Sequence, residues 1–549
     1  MGLIRRWFGK GTPGKGPRRG KYPWQQEPSI YMSLRDRPTA GEAGGRPADL
    51  PDKDRVTSAT RLPWAAGALD GVFSHHAGGG PGEGDIEALL AAVRAFGQTA
   101  SDADKFRIYE RVRDKGALGL VDAFIQALRE VKGTRLDRLH ALARSFATEA
   151  PDREPVKFGI ALLGAFRLPE DLEVYRVLGR HDEFTLFAAV ALANTLEDPE
   201  PELWALAREV EGWGRIHLVE RLAGTKNPDI RDWMLREGYR NSIMTEYLAH
   251  TCAVTGGLRE ALERTDPDDG LLTAAADLLE ALVVGGPAEG MDDYADGAEA
   301  AELYLRHLGP RGRGLRHFLA VETIRGFLEE EKADWTDRSG RGWTPERRED
   351  LLRLCADFRR RPGWPAEVAE GLGSDDPVVF WQAARAADIL GIDAWETYWK
   401  RLKQAPLEPG RWYAVVSKAG ADRLAAACAF AEESLPLEAI AAGPADELGL
   451  GPAWRAHSCL DLVLQALGPH PGLGVRLVET GLSSPVTRNR NIAAGVLEAW
   501  GRDRWPAAVE PLLRKAIEEE PNPDLRERLR RAYSGPPHPT ALSQGKKLA

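Results

Sequence analysis

The chain has 549 residues, 43% of them hydrophobic and 28% charged, with a formal net charge of −10. That length argues against a single compact core, and the acidic balance argues against a body-wide basic face for nucleic acid. Four cysteines, Cys252, Cys355, Cys428 and Cys459, stand far apart with no CxxC pair; this argues against a disulfide framework or a cysteine zinc site and suits a reducing cytoplasm.

In chain order, the first feature is a basic arm. Arg5, Arg6, Lys10, Lys15, Arg18, Arg19 and Lys21 all precede the first acid, Glu27. Such an arm can reach an anionic partner, lie back on the acidic body, or stay a solvated tail. Residues 9–14 satisfy GxGxxG, residues 9–16 approach a P-loop, and Arg5-Arg6 opens a twin-arginine-like stretch. None has the strand, the metal-binding hydroxyl or the apolar segment that its function requires. From Tyr22 to Gly84 the chain stays rich in Gly, Pro and charge, broken by apolar islands at Tyr22-Pro23-Trp24, Ile30-Tyr31-Met32 and Leu62-Pro63-Trp64. These islands are expected to dock between helices. Adjacent His75 and His76 read as incidental rather than metal-binding, and the glycine tract at 78–84 reads as a hinge.

Helical period takes over after Asp85. Ile86, Leu89, Leu90, Val93 and Phe96 recur at three- and four-residue steps, followed by Phe124, Ile125, Leu128 and Val131, then Leu136, Leu139, Leu142 and Phe146. Each set predicts one buried helical stripe. Helix-start dipeptides then recur at Asp198-Pro199, Asn227-Pro228, Asp266-Pro267, Asp376-Pro377, Ser484-Pro485 and Asn522-Pro523. The first residue offers an oxygen to the unpaired N–H groups of the opening turn, where proline gives up nothing. Some successive signals lie roughly 40 residues apart, room for two short helices and their turns. The expected fold is all-α. No run of about 18 apolar residues predicts a membrane span. The organisation read from these signals is a largely disordered or extended arm at 1–84, helical blocks at 85–285 and 295–535 separated by a Gly-rich break, and a flexible tail at 536–549.

Asp376-Pro377-Val378 leading to Ala383-Ala384-Arg385-Ala386-Ala387, and Ser484-Pro485-Val486 leading to Ile492-Ala493-Ala494, resemble HEAT or armadillo-type repeats. Over residues 85–532 the resemblance implies a right-handed α-solenoid of degenerate helical hairpins. Trp213-Gly214-Arg215-Ile216-His217, with residues 229–238 and 246–256, resembles a little-characterised group of bacterial helical proteins, some labelled limonene hydroxylase. That second resemblance would imply an oxygenase, whose chemistry demands haem, flavin or non-haem iron.

Three places carry residue types suited to chemistry or binding. His181-Asp182-Glu183, with His217 or His250, offers iron-type ligands, but Asp182 reads better as a helix cap with Glu183 favoured by the helix dipole. Asp292, Asp293, Asp296 and Gly297 approach a calcium loop, yet Tyr294 and Leu303 stand at ligand positions, so a solvated acidic loop is expected. Phe380, Trp381, Trp395, Tyr398, Trp399, Trp412 and Tyr413 crowd one region. Trp381, Trp395, Tyr398, Trp399 and Trp412 are candidates for partner binding, because such side chains dominate binding hot spots, although they also fill wedges between helices. No GxSxG, SxxK or HExxH motif occurs, and no catalytic, cofactor or metal residue is assigned. The expectation is a non-enzymatic scaffold or adaptor for a protein or peptide. The alternatives are an oxygenase by resemblance and a nucleic-acid-associated protein recruited by its arm.

Overall fold

The computed structural model describes residues 20–36, 49–60, 64–71, 83–131, 135–286 and 288–534. All regular elements among them are helical, and the one extended pairing is an isolated parallel bridge between Glu447 and Val486. Among the described residues no helix is long and apolar enough to cross a membrane. Arg5, Arg6, Lys10, Lys15, Arg18, Arg19, His75 and His76 lie outside the described residues, as do most of the glycine tract and the C-terminal tail.

Local capping follows the sequence at four sites, one of them Asp198, which accepts the Glu200 N–H ahead of Glu200–Ala207. Asn227 accepts the Asp229 N–H ahead of the helix Pro228–Trp233, Asp376 accepts from Val378 and Val379 ahead of Pro377–Leu390, and Asn522 accepts from Asp524 and Leu525 ahead of Pro523–Ser534. Two signals are displaced. Asp268, not Asp266, caps Asp269–Val284 through the Leu271 N–H. Ser484 is fully buried, and its helix opens only at Thr487.

The described chain divides into two compact units, one ending at Arg361 and one beginning at Pro362. In the first, Arg153–Phe166 packs between Leu136–Glu149 and Asp182–Thr195. The series continues through Trp213–Arg221, Glu246–Gly256, Asp269–Val284, Leu315–Leu328 and Pro345–Arg359, each against the next. Glycine allows the closest approaches. A β-carbon at Gly159 would stand 2.7 Å from the Ala143 carbonyl oxygen, and one at Gly164 would stand 2.8 Å from the Ala191 Cα. In the second unit, Pro409–Val416 packs on Arg455–Leu467, that helix on Thr487–Trp500, and Thr487–Trp500 on Pro523–Ser534. Trp500 is fully buried there and donates its indole N–H to the Leu467 carbonyl at 2.8 Å. All four cysteines are buried and free, Cys252 and Cys355 in the first unit and Cys428 and Cys459 in the second.

Two predicted stripes are only partly closed. Ile125, Leu128 and Leu136 line an open apolar cavity of about 470 Å³ with Leu139, Leu162 and Phe166. Leu136 is 57% exposed, because it opens its helix at the cavity mouth rather than lying between neighbours.

Candidate functional site

The N-terminal segment lies against the first unit. Tyr22 and Trp24 stack on each other at 5.1 Å and meet the rings of Phe106 and Tyr109, while Lys105 sits 4.2 Å above Trp24. Ile30 is fully buried, its N–H donating to the Ala150 carbonyl at 3.0 Å, and Ser29 donates to the Thr148 carbonyl. Two of the three apolar islands are therefore seated. Trp64, from the third, is 44% exposed.

Further along, the same segment enters a buried charge cluster. Lys157, 1% exposed, places its ammonium 2.6 Å from Asp70, 2.9 Å from Glu154 and 2.7 Å from Glu183. Glu183 also accepts from the Gly67 N–H at 3.0 Å and from Arg153 at 3.1 Å. Arg153 in turn holds Asp52, which accepts the Arg153 backbone N–H as well. Beside this group Asp152 accepts the Tyr109 hydroxyl at 2.5 Å and pairs with Arg55 at 2.8 Å. Burial pushes Asp70 up to about 6 against the pull of Lys157, with Glu154 and Glu183 adding to the rise. Burial also works against an ionised Glu183, but Lys157 and Arg153 overcome it and bring that carboxyl down to about 2. The ammonium of Lys157 is held well above its ordinary value: its three carboxylates outweigh the cost of burial. Of this cluster the sequence marks only Glu183, because Asp52 and Asp70 meet partners that are distant in the chain. The available signal was Lys157 itself, a cation between the apolar Val156 and Phe158.

The iron-type candidates are spread over other tasks. His181 is the residue that caps Asp182–Thr195, its ring nitrogen accepting the Glu183 N–H. Asp182, expected as the cap, instead accepts the N–H groups of Gly212 and Gly214 at 2.9 and 2.8 Å, tying two helix starts together. His217 lies beside Trp213, and His250 pairs with Glu289. Among the described residues no group of His, Cys, Asp or Glu is arranged to hold a metal ion. In the acidic loop, Asp292 is bound by the Arg338 guanidinium through both oxygens, and Asp293 accepts the Gly290 N–H.

The aromatic candidates separate by burial. Trp412 is fully buried and donates to the Pro406 carbonyl; Trp395 and Tyr398 are each 8% exposed, with the Trp395 indole donating to the Val415 carbonyl. Trp399 is half-buried, stacked on Trp395 at 5.2 Å and edge-on to Phe430. Trp381 is 40% exposed. It shares a helix face with Val378, while Gly410 and Tyr413 share a face of Pro409–Val416. A β-carbon at Gly410 would stand 3.5 Å from the Trp381 ring, so the exposed edge of Trp381 lies against the start of Pro409–Val416. Phe380 supports Trp381 from below, in contact with it and with Tyr398 and covered by the Arg401 guanidinium at 4.1 Å. Lys21, the one arm cation among the described residues, lies 5.4 Å from the Tyr22 ring.

No family model and no curated protein matches the chain. A solved structure similar to it is a crystal structure of an engineered protein from the Northeast Structural Genomics Consortium. The two share 16% identity over 82% of this chain and 98% of that one, with a TM-score of 0.22.

Proposed function

We propose that the protein is a non-catalytic scaffold whose HEAT-like helical pairs form an open array that captures a protein or peptide partner on the Trp381–Tyr413 patch. The observation carrying this reading is the contrast in exposure within one aromatic cluster. Trp412, Trp395 and Tyr398 are buried, whereas Val378, Trp381 and Tyr413 are 58%, 40% and 56% exposed. A rigid apolar platform on a packed base suits a partner that inserts one apolar anchor, because little side-chain freedom is lost on binding. The succession of helix-on-helix packings within each unit supports the array reading, since repeat proteins bury each element chiefly against its neighbours.

A peptide-display library screened against the immobilised full chain tests the proposal. Peptides with an aromatic or leucine anchor should be enriched, and their affinity should fall about tenfold or more in a Trp381→Ser, Tyr413→Ser double variant. The variant should retain the wild-type circular dichroism and melting temperature. Binding that survives in this variant but is lost on changing residues elsewhere would sink the assignment.

A further inference from the structure

Three helix starts in the first unit, at Arg153, Asp182 and Trp213, are met in turn by the N-terminal segment. Asp52 holds Arg153, and Gly67 donates to Glu183 with its backbone against the Asp182 carbonyl. Gly71 lies on the Trp213 ring so closely that a β-carbon there would stand 2.3 Å from it. Asp70 is the acidic anchor at the centre of this track. Glu154 and Lys157 face it from Arg153–Phe166, and Glu183 faces it from Asp182–Thr195. Arg153 stands one step away, shared between Glu183 and Asp52. Trp213–Arg221 contributes the Trp213 ring, with His217 beside it.

This enclosed group holds four carboxylates, Asp52, Asp70, Glu154 and Glu183, against the two cations Arg153 and Lys157. A buried excess of like charge is relieved when one acid keeps its proton. We propose that residues 64–71 are a proton-operated latch: with Asp70 protonated the segment closes over the three helix starts, and with Asp70 ionised it lets go and uncovers Trp213. Of the two acids that meet Lys157 from the segment and from Asp182–Thr195, Asp70 is the one that must change, because Glu183 is clamped ionised by both cations. A carboxyl whose proton is held more tightly in the closed form favours closure at low pH and loses that contribution as pH rises through about 6. Below the free carboxylate range the preference has its full value.

Hydrogen exchange of the full chain, followed in the peptide covering residues 64–71 and corrected for intrinsic rates, tests the latch. Wild-type protection there should fall about tenfold between pH 5 and pH 8. The Asp70→Asn variant, whose amide mimics the protonated acid, should keep the low-pH protection at both values. Protection that ignores pH in the wild type would overturn the proposal. So would an Asp70→Asn variant that is unprotected throughout, since the ionised pair with Lys157 would then be what holds the segment. If the variant fails to fold, as judged by exchange in Asp182–Thr195, the wild-type comparison decides alone.

Discussion

Arg490 and Glu520 show how a single pair can govern a region. Both are essentially inaccessible, and the guanidinium meets the carboxylate through two bonds of 2.8 and 2.9 Å. Its remaining amino group donates to the carbonyls of Ala445, Ser484 and Pro485, so one side chain ties the irregular stretch before Thr487 to the end of the helix Val509–Glu519. Ser484, next to it, donates to Asn489 and accepts the Val486 N–H, and Asn489 bridges to His457 and Asp461. The Ser484 oxygen still accepts the N–H two residues on, but its hydroxyl proton is committed to Asn489, and the helix opens only at Thr487. Glu520→Ala should destabilise the second unit by about 3–5 kcal/mol, because it strands a buried cation. The double change Arg490→Met, Glu520→Leu should recover much of that loss. Urea unfolding of the wild type and both variants checks the order, and a single variant no weaker than the double would refute it.

At the scale of helices, a cap acts on the few N–H groups that have no partner within the turn, so its contribution is local and modest. Asp376→Ala should cost about 1 kcal/mol, visible as faster hydrogen exchange in the first turn of Pro377–Leu390 with the far end unchanged. Asp268→Ala should do the same for Asp269–Val284, whereas uniform acceleration along either helix would mean that packing, not capping, had been lost. Most helices were legible in the sequence because capping and three-to-four-residue periodicity act within one turn. Asn227, Asp376 and Asn522 show this directly, and Leu89, Val93, Phe124, Leu142 and Phe146 are buried as their stripes require. Legibility ended where a side chain answers to a remote element. His181 replaced Asp182 as cap because the Asp182 carboxylate is drawn to Gly212 and Gly214. Aromatic spacing marked the Trp381 region but could not sort it: Trp412 is consumed in packing while Tyr413, its neighbour in sequence, faces outward.

Across the described residues, part of the acid excess is engaged in buried ion pairs, Asp70 with Lys157 and Glu520 with Arg490 among them, so acidity here is partly structural. The N-terminal segment illustrates what a one-dimensional reading misses, since Asp52 and Asp70 gain meaning only once Arg153 and Lys157 are folded beside them. Burial also silences the sulfur chemistry. The thiols of Cys355, Cys428 and Cys459 are pushed up to about 12, and that of Cys252 well above its ordinary value, burial being the leading cause throughout. A thiolate is the reactive form, so the native chain should be inert to an aromatic disulfide reagent at neutral pH and react fully once denaturant opens it. Rapid labelling of any of the four in native buffer would contradict their seating. Because Cys252 and Cys355 report on one unit and Cys428 and Cys459 on the other, mass-resolved alkylation gives the protein two internal clocks, each started only when its own half comes apart.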